Sequence, residues 1–295
     1  MRSPTVLVTG ATGTVGAALC DSLADRDCEV RALARDSADA PAGTEAVAFD
    51  FEKPETWGRA FEGGGRLFLV RPPAISRVGD HLLPAVDAAV RCGVEHVTLL
   101  SVLGAEKNPL LPHRRIEKHL LEADCTYTFL RASFFMQNFD EVHAAEIRDR
   151  GEIFVPAGDG ETSFVDARDV ADVAALTLLE SGHEDTAYDI TGAEALTYHG
   201  VADTFTAVLG REVTYADPSI PRFVRGMRGR GESLGFIAVM LVLYTTARFG
   251  LAGRVTDDTE RLLGREPRSL RTYVADYADA FEPDSSGSTR EVTAR

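Results

Sequence analysis

Residues 5–16 read Thr-Val-Leu-Val-Thr-Gly-Ala-Thr-Gly-Thr-Val-Gly, an apolar run followed by glycines at 10, 13 and 16. Thr5 to Thr9 has the character of a buried strand, and Val15, Leu19 and Leu23 then recur at helical spacing. A chain that passes from strand to helix through such a loop is constrained at each glycine. Gly10 permits the tight turn, Gly13 lets the backbone approach a pyrophosphate, and Gly16 lets the helix pack closely on the sheet. The phosphates of a dinucleotide would meet the free amides and positive dipole end of the helix that starts near Thr14. Gly10, Ala11, Thr12, Gly13, Thr14, Val15 and Gly16 are therefore the expected phosphate contacts.

Beyond Leu23 the chain keeps alternating short apolar runs with helical-period segments, the signature of a parallel sheet covered on both faces. Strands are expected at Glu29 to Ala34, Ala46 to Asp50, Leu67 to Val70, His96 to Ser101 and Tyr127 to Arg131, with helices at His81 to Val90 and Pro112 to Glu122. Pro72-Pro73 closes the fourth strand, since proline continues neither a ladder nor a helix interior. Beyond about Asn138 the pattern loosens into helices and short strands, including Ala187 to Thr191 and Glu212 to Tyr215. The expected fold is α/β, a Rossmann-type doubly wound parallel sheet with a smaller irregular α/β C-terminal lobe for substrate. Residues 1–138 are assigned mainly to dinucleotide binding and 139–282 mainly to the substrate lobe, while the polar stretch 283–295 reads as an unfolded tail.

Composition narrows the function classes. Forty-six Asp and Glu against 31 Lys and Arg give a net charge of -15, a surface that repels a nucleic-acid backbone. Only Lys53, Lys107 and Lys118 are lysines, so nearly all the positive charge is arginine; a high-salt habitat and ordinary acidity both fit. Cys20, Cys28, Cys92 and Cys125 form no C-x-x-C pair, which indicates neither a zinc site nor a disulfide framework. The N-terminus opens directly into a strand without a secretory pattern, so the expected compartment is the cytoplasm. The longest uncharged run, Ser233 to Ala247, falls short of the roughly 20 residues that span a bilayer.

At the end of the second strand, a carboxylate would bond a ribose 2′-hydroxyl and a cation would bond a 2′-phosphate. Ala34 leaves room there and Arg35 supplies a planar cation, which favours NADP(H); the competing reading gives the ribose to Asp36 and admits NAD(H). At the third strand's end, Asp50 and Phe51 are candidates to bond and stack the adenine, or Asp50 only caps the helix begun at Pro54.

The glycine loop, Ala34-Arg35, Asp50-Phe51, residues 100–105 (Leu-Ser-Val-Leu-Gly-Ala), 113–117 (His-Arg-Arg-Ile-Glu), 127–131 (Tyr-Thr-Phe-Leu-Arg) and 135–138 (Phe-Met-Gln-Asn) together resemble the NmrA-like atypical short-chain dehydrogenase/reductases. The segments Gly158-Asp159-Gly160, 164–171 and 255–258 extend the resemblance to about Phe281. It implies an NAD(P)-binding protein related to quinone, triphenylmethane and azo-dye reductases, or to NADP-sensing regulators. It also adds Val70, Arg71, Pro72, His113, Phe135, Met136, Gln137 and Asn138 to the cofactor's surroundings.

One departure matters. Short-chain dehydrogenases carry Tyr-x-x-x-Lys, whose lysine lowers the tyrosine pKa for proton transfer to a carbonyl. No tyrosine here precedes a lysine at that spacing; the lysine position falls at His113 and the tyrosine position near Pro109. The catalytic candidates are then His113, with an unperturbed imidazole that titrates near neutrality and Glu117 one turn on to orient it, and Ser101 at the end of strand five. Each has a plain counterpart: a helix-surface histidine, and a serine that satisfies turn backbone. Phe135, Phe236, Met240 and Tyr244 are candidates for a hydrophobic substrate pocket; a subunit contact or core packing are the alternatives for the run from Phe236. Asp166 and Asp169 read as a strand-end aspartate and a helix cap, and no metal site is assigned.

Two functions from different classes remain. The first is an NAD(P)H-dependent oxidoreductase passing hydride to a small apolar conjugated acceptor such as a quinone, with no need of a protein nucleophile. The second is a non-catalytic NADP(H)-sensing protein that reports to a partner. A homodimer or a regulatory protein partner fits either, and neither direct nucleic-acid binding nor membrane insertion is expected.

Overall fold

In the computed structural model, residues 3–75 and 77–283 are described. The first elements are β1 (Thr5–Thr9), α1 (Thr14–Leu23), β2 (Glu29–Ala34), β3 (Glu45–Ala48), α2 (Trp57–Ala60) and β4 (Gly65–Val70). They continue with α3 (Val78–Arg91), β5 (Val94–Val102), α4 (Pro112–Leu120), β6 (Thr126–Ala132) and β7 (Phe134–Phe135). Next come α5 (Asn138–Glu141), α6 (Ala144–Arg150), β8 (Glu152–Ile153), β9 (Glu161–Val165), α7 (Ala167–Leu179) and β10 (Thr186–Ile190). The last are β11 (Ala195–Thr197), α8 (Tyr198–Leu209), β12 (Thr214–Tyr215), α9 (Ile220–Gly229), α10 (Leu234–Arg248), α11 (Asp258–Leu263), α12 (Leu270–Asp276) and α13 (Ala278–Phe281).

Side chains on a strand alternate between faces, and here both faces are apolar. Val6, Val8, Phe68 and Leu130 pack with α1 and α7 through Leu19, Leu23, Val170 and Val173. Leu7, Leu67, Leu69, Val97 and Leu99 face the other way, onto Trp57 of α2, Leu82 and Val86 of α3, and Ile116 and Leu120 of α4. The result is one seven-stranded sheet in the order β10-β6-β5-β4-β1-β2-β3, every pair parallel. The strand order reverses between β1 and β4, and in such sheets ligands bind at the carboxyl ends beside that reversal.

The chain divides into two compact units, and the division is not the contiguous one expected at residue 138. The first unit takes residues up to Phe135 and then Phe164–Ala193 and Val255–Arg268. The second takes Met136–Ser163, Glu194–Arg254 and the chain from Ser269 onward. Thus β10, expected in the irregular half, joins the parallel sheet, and α7 packs against it. Inside the first unit Asp166 caps α7, accepting from the Arg168 amide at 2.9 Å. Asp169 is no cap: it is buried within α7 and ion-paired to Arg265 at 2.7 Å and to Arg268. The second unit is mainly helical, with the parallel pair β8-β12 and an aromatic core in which Phe205 meets Phe139 and Phe281 at 5.4 and 5.0 Å. The stretch 284–295, expected to be unfolded, lies outside the described residues.

Candidate cofactor and acceptor site

The three loop glycines are required for different reasons. Gly10 sits at φ +64°, the left-handed region that side chains disfavour. At Gly16 a Cβ would lie 2.0 Å from the Gly10 carbonyl oxygen, so only glycine lets the helix start here. Gly13 has neither demand: its φ is -93°, and a Cβ would meet nothing closer than the Gly10 oxygen at 3.4 Å. A Cβ at 13 thus meets no more than ordinary van der Waals contact, and the space in front of it is open. Gly13 caps α1 without a side-chain hydrogen bond, and no acidic residue occupies the first turn of that helix. The positive end of α1 is thus uncompensated by side-chain charge, which suits a phosphate. Thr9 ties this loop to the neighbouring strand, its Oγ1 donating to the Phe68 carbonyl at 3.0 Å and accepting from the Val70 amide at 2.9 Å.

At the end of β2, Ala34 is buried and Arg35 is exposed, with no hydrogen bond or ion pair among the described residues. The Asp36 carboxylate accepts from the Ala38 amide at 3.0 Å and so caps the adjoining short turn. Arg31 is already held by Glu45 at 2.9 Å. The available cation at this strand end is therefore Arg35.

Asp50 accepts from the Glu52 amide at 3.0 Å in a local turn, and it does not cap the short helix at Pro54, whose N-cap is Lys53 without a side-chain hydrogen bond. Phe51 corrects an expectation: its ring is buried edge-on against Phe49, centroids 4.7 Å apart, and is not presented for stacking on an adenine.

Ser101 also departs from the expected role. It is buried, and its hydroxyl donates to Glu117 Oε1 at 2.8 Å. Glu117, fully buried on α4, accepts in addition from Arg114 at 2.9 Å and from Arg131 Nε and Nη2 at 3.0 and 3.1 Å. Burial opposes the carboxylate, but the hydrogen bonds from Arg131, Ser101 and Arg114 together hold its pKa below the ordinary value. Ser101 is thus committed to an internal network joining β5, α4 and β6 and has no hydroxyl proton to spare for chemistry.

Glu117 does not orient His113. The imidazole Nε2 instead lies 3.5 Å from Arg71 Nε, which can only donate, so the His113 proton sits on Nδ1. Burial first, then the Arg71 charge, push the His113 pKa down to about 4. It is a neutral imidazole at physiological pH rather than one titrating near neutrality. Arg71 Nη1 donates to the carbonyls of Ile75 at 2.9 Å and Pro72 at 3.2 Å, holding the loop after β4. Val70, half-buried, borders Gly10, and a Cβ on that glycine would lie 3.5 Å from Val70 Cβ. Phosphate loop, Val70 to Pro72 and His113 thus all belong to the first unit.

Residues 135–138 straddle the two units. Phe135 is half-buried on β7, whereas Met136 and Gln137 are buried and Asn138 opens α5. Of the expected pocket residues on α10, Met240 and Tyr244 are buried in the second unit rather than lining open space; Phe236 is half-exposed. Tyr244 packs on Phe223 at 5.9 Å, and its hydroxyl bonds His143. Sequence reading missed His143, because nothing local marks a histidine whose partner lies 101 residues away.

Comparison with known proteins accords with this geometry. The NmrA-like family model matches residues 2–273. The NAD(P)H azoreductase of Xenophilus azovorans is 32% identical over 284 residues, 94% of this chain and 99% of that protein. Among solved structures, the Citrobacter sp. triphenylmethane reductase complexed with NADP(H) superposes with a TM-score of 0.80 at 25% identity, covering 94% of this chain and 99% of that one. The NADPH-dependent quinone oxidoreductase QOR2 of Escherichia coli, complexed with NADPH, gives 0.82 at 25% identity, with 93% and 99% covered. With a family model spanning nearly the whole chain and a glycine loop built as its fold requires, this protein belongs to the NmrA-like family.

Proposed function

We propose that this protein is an NADP(H)-preferring oxidoreductase that reduces a small, apolar, conjugated acceptor such as a quinone. The observation that carries the reading is Gly13, a glycine that neither backbone angle nor packing demands, placed where a pyrophosphate must approach. When bound, the reduced nicotinamide supplies the hydride; the protein's task is to hold, orient and charge-balance the partners. Gly10 to Gly16 and the first turn of α1 would hold the pyrophosphate, and Arg35 would pair with a 2′-phosphate. Val70 to Pro72 and His113 would border the reacting end. NAD(H) would bind the same loop without the Arg35 contact.

Reduction rather than sensing is favoured because the azoreductase, triphenylmethane reductase and quinone oxidoreductase, each a quarter or more identical to this chain over nearly its whole length, are named as reductases or oxidoreductases. Among the described residues no helix is long and apolar enough to cross a membrane. Steady-state consumption of NADPH with a panel of quinones is the test. Acceptor-dependent oxidation is expected, with one NADPH lost per quinone reduced. Inertness toward every acceptor, alongside tight cofactor binding that depends on its oxidation state, would instead support a sensor.

A further inference from the structure

We propose that Arg71 receives the negative charge that develops on the acceptor, so that the site serves acceptors whose hydride adduct is a stabilised anion and rejects simple ketones. The proposal rests on the reductase reading above and specifies its substrate class. Arg71 follows Val70, the last residue of β4, a strand that borders the reversal of strand order and whose Val70 side chain lies against Gly10 of the glycine loop. Its guanidinium is half-buried and donates to backbone carbonyls and to His113, all neutral acceptors. No carboxylate among the described residues pairs with it, whereas Arg31, Arg114, Arg131 and Arg268 each have one. Desolvation accordingly pulls its pKa down, the mark of a cation without a counter-charge. A partly desolvated charge left unpaired is unfavourable until an anion arrives.

The chemistry supplies such an anion. A quinone that gains a hydride, a proton with two electrons, forms a new bond to hydrogen as its conjugated π bond opens. The displaced electron pair settles on the distal oxygen, and the nicotinamide is oxidised in the same step. The product is a phenolate-type anion. His113, neutral and with Nε2 turned to Arg71, has no acidic proton to donate near neutral pH, and no Tyr-x-x-x-Lys pair exists in the sequence. The adduct therefore remains an anion until it takes a proton from water. A phenolate tolerates this; the alkoxide from a simple ketone is far too basic to form without an acid. Arg71 supplies the electrostatic partner in place of that acid.

The experiment uses the full chain and two variants, Arg71→Met and Arg71→Lys, with folding checked by thermal melts. Turnover is measured with 1,4-benzoquinone, whose adduct is an anion, and with a cationic triphenylmethane dye, whose adduct is neutral. Binding of 4-nitrophenolate, read by its visible absorbance, reports anion affinity without any turnover. Arg71→Met is expected to lower quinone turnover and 4-nitrophenolate affinity at least about tenfold, in line with loss of one oxyanion-stabilising group. Whatever Arg71→Met does to dye reduction, the ratio of quinone to dye turnover should fall by at least about tenfold, and Arg71→Lys should recover part of the quinone activity. Equal losses with both acceptors would assign Arg71 a structural role and overturn the proposal. Unchanged 4-nitrophenolate binding would overturn it as well. A loss confined to NADPH affinity would make Arg71 a cofactor ligand and likewise overturn it. If the wild type turned over neither acceptor, the reductase reading would fail, and phenolate binding would still decide the role of Arg71.

Discussion

A methyl group at position 16 would stand 2.0 Å from the Gly10 oxygen, whereas at position 13 it would stand 3.4 Å from the same atom. The two glycines should therefore separate stability from binding. Gly16→Ala is expected to destabilise the fold by about 1–3 kcal/mol or more, the range for overpacked sites. Gly13→Val should leave the thermal midpoint close to wild type and weaken dinucleotide binding by roughly a hundredfold or more, about 2.7 kcal/mol. A folded Gly13→Val protein with unaltered cofactor affinity would remove the pyrophosphate assignment. Gly10 and Gly16 were legible from spacing alone, because their reasons are local. The Ser101 commitment was not, since its partner Glu117 and the latter's partner Arg131 lie on different elements and meet only in the folded chain. Arg71 was singled out as an expected cofactor neighbour through the family resemblance; that no carboxylate among the described residues pairs with it became visible only once the surroundings were assembled.

Among the elements, β5, α4 and β6 depend on one buried carboxylate. Removing Glu117 leaves Arg131 with the more distant Glu106 at 3.5 Å and frees both Ser101 and Arg114. Glu117→Ala is expected to cost about 3–5 kcal/mol, as for a buried ion pair broken on one side, measurable by urea titration; a loss under about 1 kcal/mol would show the network to be dispensable. The strands β1 to β6 were readable because each apolar run is bounded by turn residues and separated by helical-period segments. β10 was readable as a strand but not as the seventh of this sheet. Its pairing with β6, Thr186 opposite Thr128, comes after a long excursion through the second unit, and periodicity carries no record of which edge a returning strand joins. For the same reason α7 was not recognisable as a covering helix. The apolar character of α10 was evident, yet its burial of Ile237, Met240, Tyr244 and Ala247 on one side required the neighbouring helices to be in place.

Across the whole molecule, three histidines are held neutral by burial. His96 and His113 are pushed down to about 4 and His143 to about 3, against an ordinary value of 6.5. Between pH 6.5 and 4 the unfolded chain carries protons on these rings that the native protein lacks. Stability rises with pH wherever the unfolded state binds more protons, so here it falls as the pH drops from 6.5 toward 4. Denaturant midpoints measured across that window should decline steeply, with the proton uptake on unfolding approaching three near pH 5 and falling to about two near pH 4; a flat profile would show that these rings are protonated in the native state. The other global property is the charge of -15, which disfavours any ligand carrying an extra phosphate unless a cation meets it. On the proposed reading Arg35, exposed at the end of β2, would be that cation. Equilibrium titration of NADPH and NADH into the wild type and into Arg35→Ser, at one low ionic strength because salt screens the contact, tests the cofactor claim most directly. The wild type should bind NADPH tighter by roughly tenfold to a hundredfold, the worth of a charge-assisted contact of about 1.5–3 kcal/mol, and Arg35→Ser should lose most of that gap while keeping its NADH affinity. A wild type that prefers NADH, or binds neither nucleotide, would contradict the account.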